Sequence, residues 1–161
     1  AERYYTPGGT PDVIVDLDPD AVFSLGSTTR GGQERTPEGF VDLWHQLADE
    51  EIPVVAIRDT VRLPERVPDC LARVGYDPVT CGVARSDVLL DSYPPAGDMP
   101  PNVTFVDMTD LVCEPEHCPA IVGNVIVYRD GSHVTATYMK TLAPFFEQRL
   151  RVETPWLFGR G

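Results

Sequence analysis

Compact apolar runs alternate with longer stretches of helical period along this chain. Residues 21–25, 52–57, 103–107 and 125–128 each concentrate Val, Ile, Phe or Tyr in the short blocks that buried strands show. Helical signals fall between them. Thr10-Pro11-Asp12 and Thr36-Pro37-Glu38 are both helix starts, with Thr as N-cap, Pro at the first helical position and an acid in the first turn. The first opens a short helix over 13–17. The second opens a helix ending near Glu51, on which Phe40, Leu43, Trp44 and Leu47 share one face and His45 lies off it as a surface residue. A last helix is expected from Thr135 to about Leu150, with Tyr138, Leu142, Phe145, Phe146 and Leu150 toward the core and a kink at Pro144.

Residues 61–101 are rich in Pro, Asp and Gly and read as mostly loop, with short helices near 69–73 and 85–92. Residues 1–9 form an irregular lead-in, and Trp156, Leu157 and Phe158 near the end are expected to pack back on the domain. Strands alternating with helices imply a parallel α/β sandwich. The chain has no internal repeat or dividing linker, so residues 1–161 are taken as one domain.

Composition narrows the function. With 42% apolar residues the chain is long enough for an ordinary core. A formal charge of −12 without a basic stripe argues against nucleic acid and anionic membrane surfaces as partners. No apolar run approaches the roughly 20 residues of a membrane helix. No glycine loop matches a nucleotide fingerprint, and no cofactor is implied.

Four cysteines stand as two local pairs, Cys70 with Cys81 and Cys113 with Cys118. Three pairings are possible, and the two local ones are expected. Disulfides would place the domain in an oxidising compartment. The competing readings are zinc at Cys113, His117 and Cys118, although their spacing matches no recognised ligand set, and reduced core thiols.

The strongest chemical signal is Asp130-Gly-Ser-His133, where an apolar run ends and a helix is about to begin. A carboxylate three residues before an imidazole on a tight turn can hold one ring nitrogen and leave the other free as a base. Taken alone, such a pair is more often structural. The loop Gly26-Ser27-Thr28-Thr29-Arg30 follows the first strand, and Arg58-Asp59-Thr60 follows the second. Both lie at the carboxyl ends of strands, where ligands sit in open α/β sheets.

Several blocks recur in order: Asp20-Ala-Val-Phe before the Ser/Thr/Arg loop, Ile57-Arg58-Asp59-Thr60, Pro68-Asp69-Cys70-Leu71 with Cys81, and Cys113 to Cys118 before Val127-Tyr128-Arg129-Asp130. With Asp130-x-x-His133 they give a chain that resembles SGNH hydrolase domains, and more narrowly the extracytoplasmic SGNH domains fused to bacterial membrane acyltransferases that O-acylate envelope polysaccharides. The resemblance implies a three-layer α/β/α sandwich with a mostly parallel, flavodoxin-like sheet. It implies an acyltransferase or esterase acting on acylated glycans, tethered outside the cytoplasm through a membrane acyltransferase domain of the same polypeptide. In that scheme His133 is general base and acid, and Asp130 orients it.

The family's Gly-Asp-Ser block does not occur in this sequence, and its oxyanion Gly and Asn have no matching positions. Thr28, Thr29 and Arg30 are the substitutes expected at the oxyanion or substrate loop. Ser132 is disfavoured as nucleophile, because neighbouring side chains on a tight turn diverge; its expected role is to cap the next helix. The chain is therefore expected to be part of a longer polypeptide whose upstream segment brings the serine, and to be inactive alone. The alternative is a degenerate domain that binds a glycan or acyl acceptor.

Overall fold

The computed structural model describes residues 9–30, 33–93, 97 and 99–159. The lead-in before Gly9 and the glycines at 31–32 lie outside the described residues. In chain order the elements are α1 (Thr10–Asp16), β1 (Val22–Leu25), α2 (Glu38–Asp49), β2 (Val54–Ile57), α3 (Val67–Val74), β3 (Val83–Ala84), α4 (Arg85–Val88) and β4 (Val103–Val106). A 3-10 turn at Thr109–Leu111 follows, then β5 (His117–Cys118), β6 (Ile121–Val122), β7 (Val125–Ile126), α5 (Ala136–Glu153) and a second 3-10 turn at Pro155–Leu157.

Three strands form a parallel sheet in the order β1-β2-β4, with Val22, Val54 and Val103 in register at one end and Leu25, Ile57 and Val106 at the other. On one face α2 lays Trp44 and Leu47, both fully buried, against Val54 and Ala56, with Ile14 and Val15 of α1 beside them. Trp44 meets Phe105 edge-on at 5.6 Å, and its indole N–H donates to Ser24 Oγ. On the other face Leu150 and Phe146 of α5 cover Val55, Ile57 and Val106, joined by Leu157 of the last turn. This is the expected α/β/α layering around a sheet of three strands.

Both Thr-Pro helix starts hold with the cap shifted by one residue. The caps are Gly9 and Pro37, and the Thr36 hydroxyl donates instead to the Gly26 carbonyl at 2.8 Å. The α5 cap is Thr135, whose hydroxyl accepts from Tyr138 N–H, so Ser132 does not cap the helix. Helix α5 continues through Pro144, and Phe145 is exposed rather than buried. Strand β1 departs from a buried strand: it is one of the two outer strands of the sheet among the described residues, and Phe23 and Leu25 are 53% and 51% exposed.

Residues 125–128 do not join the sheet. Gly123 and Asn124 both adopt positive φ, 55° and 64°, so β6 and β7 close into a two-residue antiparallel hairpin. Turns of this kind match strand twist, and the hairpin satisfies the backbone locally. Val127 and Tyr128 then enter the core of a separate, loop-rich lobe.

That lobe holds residues whose sequence offers few regular elements. Two disulfides, Cys70–Cys81 and Cys113–Cys118, staple it, and all four sulfurs lie in its apolar cluster with Val61, Val67, Leu71 and Val127. This pairing removes the zinc and free-thiol alternatives for these cysteines. It also fits a domain that works outside the reducing cytoplasm. Among the described residues no helix is long and apolar enough to cross a membrane.

Closing an 11-residue separation constrains the unfolded chain more than closing one of 5. Replacing Cys70 and Cys81 together by Ser is expected to lower stability by about 3 kcal/mol, and the Cys113/Cys118 double replacement by about 2 kcal/mol. Urea midpoints at pH 7 check both values; equal or reversed effects would refute the loop-length account.

Candidate active site

The turn carrying Asp130 and His133 is built by its own carboxylate. Asp130 Oδ1 accepts from the N–H groups of Ser132 and His133, each at 2.8 Å, the local pattern that makes Asp a turn former. Its other oxygen, Oδ2, meets His133 Nδ1 at 2.7 Å. The two N–H donors, then the imidazole contact, hold the carboxyl well below the usual carboxylate range. An ionised carboxylate only accepts, so Nδ1 is the donor in the 2.7 Å contact, which in the neutral imidazole makes Nε2 the acceptor. The His133 side chain is 66% exposed, while Asp130 behind it is 30% exposed. This is an oriented base presented to solvent.

The turn is held from outside at every peptide. The carbonyls of Asp130, Gly131, Ser132 and His133 accept, in order, from Val67 N–H at 3.3 Å, Leu63 N–H at 2.7 Å, Thr60 Oγ1 at 2.9 Å and Arg129 N–H at 2.9 Å. Tyr128 and Val134 pair across its base as an isolated antiparallel bridge. Cooperation of the loop after β2 with the stapled lobe therefore sets where His133 points.

The Thr28–Arg30 loop lies on the same network. Thr29 is buried; its N–H donates to Asp59 Oδ2 at 3.2 Å and its hydroxyl to the Thr60 carbonyl at 3.0 Å. Thr28 pairs through its backbone with Arg35, and its hydroxyl oxygen accepts from Arg30 N–H. The backbone N–H groups of all three residues are thus engaged within the protein. What this loop still presents is the exposed Arg30 side chain and the half-buried Thr28. A run of hydrogen bonds, Thr29 to Thr60 and Thr60 to Ser132, brings the loop beside the Asp130–His133 turn.

Beneath these loops lies a buried ionic cluster not singled out in the sequence. Arg58 donates through Nε and Nη2 to the two oxygens of Glu34, at 2.9 and 2.6 Å, through Nη1 to Asp107 Oδ2 at 2.8 Å, and through Nη2 to the Leu90 carbonyl. Glu34 also accepts from Ser27 Oγ at 2.7 Å and Leu90 N–H at 2.9 Å, so both its oxygens are filled. Asp59 N–H donates to Ser27 Oγ. The Tyr93 ring lies over the guanidinium at 5.1 Å and its hydroxyl donates to the Ala56 carbonyl. Gly26 makes room for that hydroxyl: a Cβ there would stand 1.9 Å from it.

Burial by itself raises the Glu34 carboxyl pKa, but the hydrogen bonds from Arg58, Leu90 and Ser27 outweigh it and hold the group below its ordinary value. Asp107 is likewise pushed up by burial and brought down further by Thr109 and Arg58. A signal for the cluster did exist. Arg58 and Asp107 each follow the last residue of an apolar strand, and adjacent parallel strands put such residues side by side.

Against known proteins, the chain matches the family model described as SGNH domain (fused to AT3 domains) over residues 3–148. The fold and the Asp130–His133 turn thus belong to an α/β domain of SGNH type. The chain is a member of the SGNH domain family found fused to AT3 acyltransferase domains. No curated protein and no solved structure gives a significant match.

A folded-state pKa below the unfolded value means stability that is complete above the unfolded carboxylate range and lost as pH falls through the folded pKa. The melting temperature is therefore expected to hold between pH 7 and 5 and to fall below about pH 4. Glu34→Gln leaves Arg58 buried beside one carboxylate and is expected to cost about 3–5 kcal/mol at pH 7. Arg151→Ala, which breaks an exposed helix pair with Glu147 and a contact of the guanidinium with the Phe158 ring, should cost about 1 kcal/mol. Equal urea midpoints for the two variants would refute a structural role for the cluster.

Proposed function

We propose that this domain supplies the Asp–His half of a serine triad in an extracytoplasmic O-acyltransferase or esterase acting on acyl groups of cell-envelope glycans, with a membrane acyltransferase domain in the same polypeptide. The observation that carries this reading is the Asp130 carboxylate bound at 2.7 Å to His133 Nδ1 while the ring stands exposed. A purely structural imidazole has no need of an oriented, solvent-facing Nε2.

In the proposed reaction a serine hydroxyl attacks the acyl carbon and gives its proton to His133 Nε2. The ester C–O bond breaks, and the departing alkoxide takes that proton from the imidazolium, leaving the acyl group on serine. A glycan hydroxyl or water then repeats the sequence in reverse. Asp130 stays ionised throughout and stabilises the transient imidazolium. The serine comes from a segment of the parent protein upstream of this domain. Strand β1 supports that assignment, because among the described residues it has a neighbouring strand on one side only, and that side together with the exposed Phe23 and Leu25 would offer a further strand both backbone partners and an apolar face. The exposed Arg30 side chain and the Thr28 hydroxyl are the loop's remaining donors for a developing oxyanion.

A second reading, a glycan- or acceptor-binding domain without chemistry, is favoured by one observation: among the described residues no hydroxyl is hydrogen-bonded to His133 Nε2.

In the full-length parent, His133→Ala and Asp130→Asn are each expected to lower turnover of a chromogenic acetyl ester by about 10²–10⁴-fold with circular dichroism unchanged. Wild-type rates in both variants would sink the assigned roles. A parent without esterase activity whose glycan retention survives His133→Ala would favour the binding reading.

A further inference from the structure

A cavity of about 100 Å³ lies between the carboxyl ends of β2 and β4 and the first three turns of α5. Its walls are mainly apolar, formed by Ile57, Met108, Val134, Met139, Leu142 and Phe146. It adjoins the Asp130–His133 turn twice over. Val134 follows His133 in the chain, and Thr60, another lining residue, is the one whose hydroxyl holds the Ser132 carbonyl.

The polar residues that reach the cavity are already engaged. Arg58 is directed at Glu34, Asp107 and Leu90, and the Thr109 hydroxyl donates to Asp107 at 2.7 Å. A sugar placed here would leave its hydroxyls buried and unpaired, which is unfavourable. An unbranched hydrocarbon chain would lose nothing. Size sets the limit: an apolar protein cavity of about 150 Å³ takes benzene, so the smaller volume suits roughly two to four carbons. Met139, 42% exposed, is the most exposed residue of the wall, and Met108 is buried within it.

We propose that this cavity receives the acyl chain of the substrate, and that Met108 and Met139 set its length at about four carbons or fewer. The inference rests on the acyl-transfer reading and adds to it the place and size of the acyl group.

The sequence has three methionines, and the third, Met99, packs in the Trp44 cluster on the opposite face of the sheet. Methyl-labelled methionine NMR therefore carries its own control. Titration of the protein with methyl acetate and methyl butyrate should shift Met108 and Met139 saturably and leave Met99 unmoved, while methyl octanoate should shift none. Met139→Trp should abolish the Met108 response, and Met139→Ala should extend it to methyl hexanoate. Equal movement of all three methyls, or a Met108 response that survives Met139→Trp, would overturn the proposal.

In the parent, Met139→Ala should raise the hexanoate-to-acetate ratio of kcat/KM about tenfold. A ratio that stays fixed while His133→Ala abolishes turnover overturns the acyl pocket and spares the catalytic reading. Saturable methyl shifts in a parent that cleaves no ester would overturn the catalytic reading and with it the acyl assignment, leaving an apolar ligand site.

Discussion

A guanidinium buried at the end of a three-stranded sheet must be matched by fixed acceptors, because an unpaired charge there costs several kcal/mol. Arg58 meets this requirement with Glu34, Asp107 and the Leu90 carbonyl, and so draws four separate stretches of chain to one point. The loop after β1 is anchored to it through Ser27 and Glu34, the loop after β4 through Asp107, and the segment after α4 through Leu90. Everything at the carboxyl edge of the sheet is positioned relative to that one side chain. Its neighbours Asp59 and Thr60 extend the same order outward to Thr29 and to Ser132.

The Asp130–His133 turn stands where two differently built parts meet. The sheet owes its shape to strand and helix packing, with Trp44 and Leu47 on one side and Leu150 on the other. The lobe around Val61, Val127 and Tyr128 has little regular structure and depends on two disulfides for its connectivity. The turn takes hydrogen bonds from both, Thr60 from the sheet side and Leu63 and Val67 from the lobe side. Such support keeps an exposed imidazole oriented although it makes few packing contacts of its own.

Membership in the SGNH family agrees with an α/β layer, and among the described residues β1 has a neighbouring strand on one side only. Phe23 and Leu25 would normally be costly to leave in water. Among the described residues they lie on a strand with one neighbour, just before the loop that carries Thr29.

Local chemistry was legible directly from the chain. The Thr-Pro-acid helix starts, the three apolar strands, both cysteine pairs and the Asp130–His133 turn all depend on neighbours within a dozen residues, and each can be read from short-range pattern. The fourth strand was misplaced because an apolar run looks the same whether it joins a sheet or a hairpin; the positive φ values at Gly123 and Asn124 decided for the hairpin. Phe145 and β1 were misread as buried because periodicity identifies an apolar face without showing what covers it. The Glu34–Arg58–Asp107 cluster spans 73 residues from Glu34 to Asp107, and the apolar cavity is lined by residues of β2, the loop after β4 and α5. Charge complementarity and enclosed volume at such separations are properties of the packed arrangement, so only the tertiary structure could decide them.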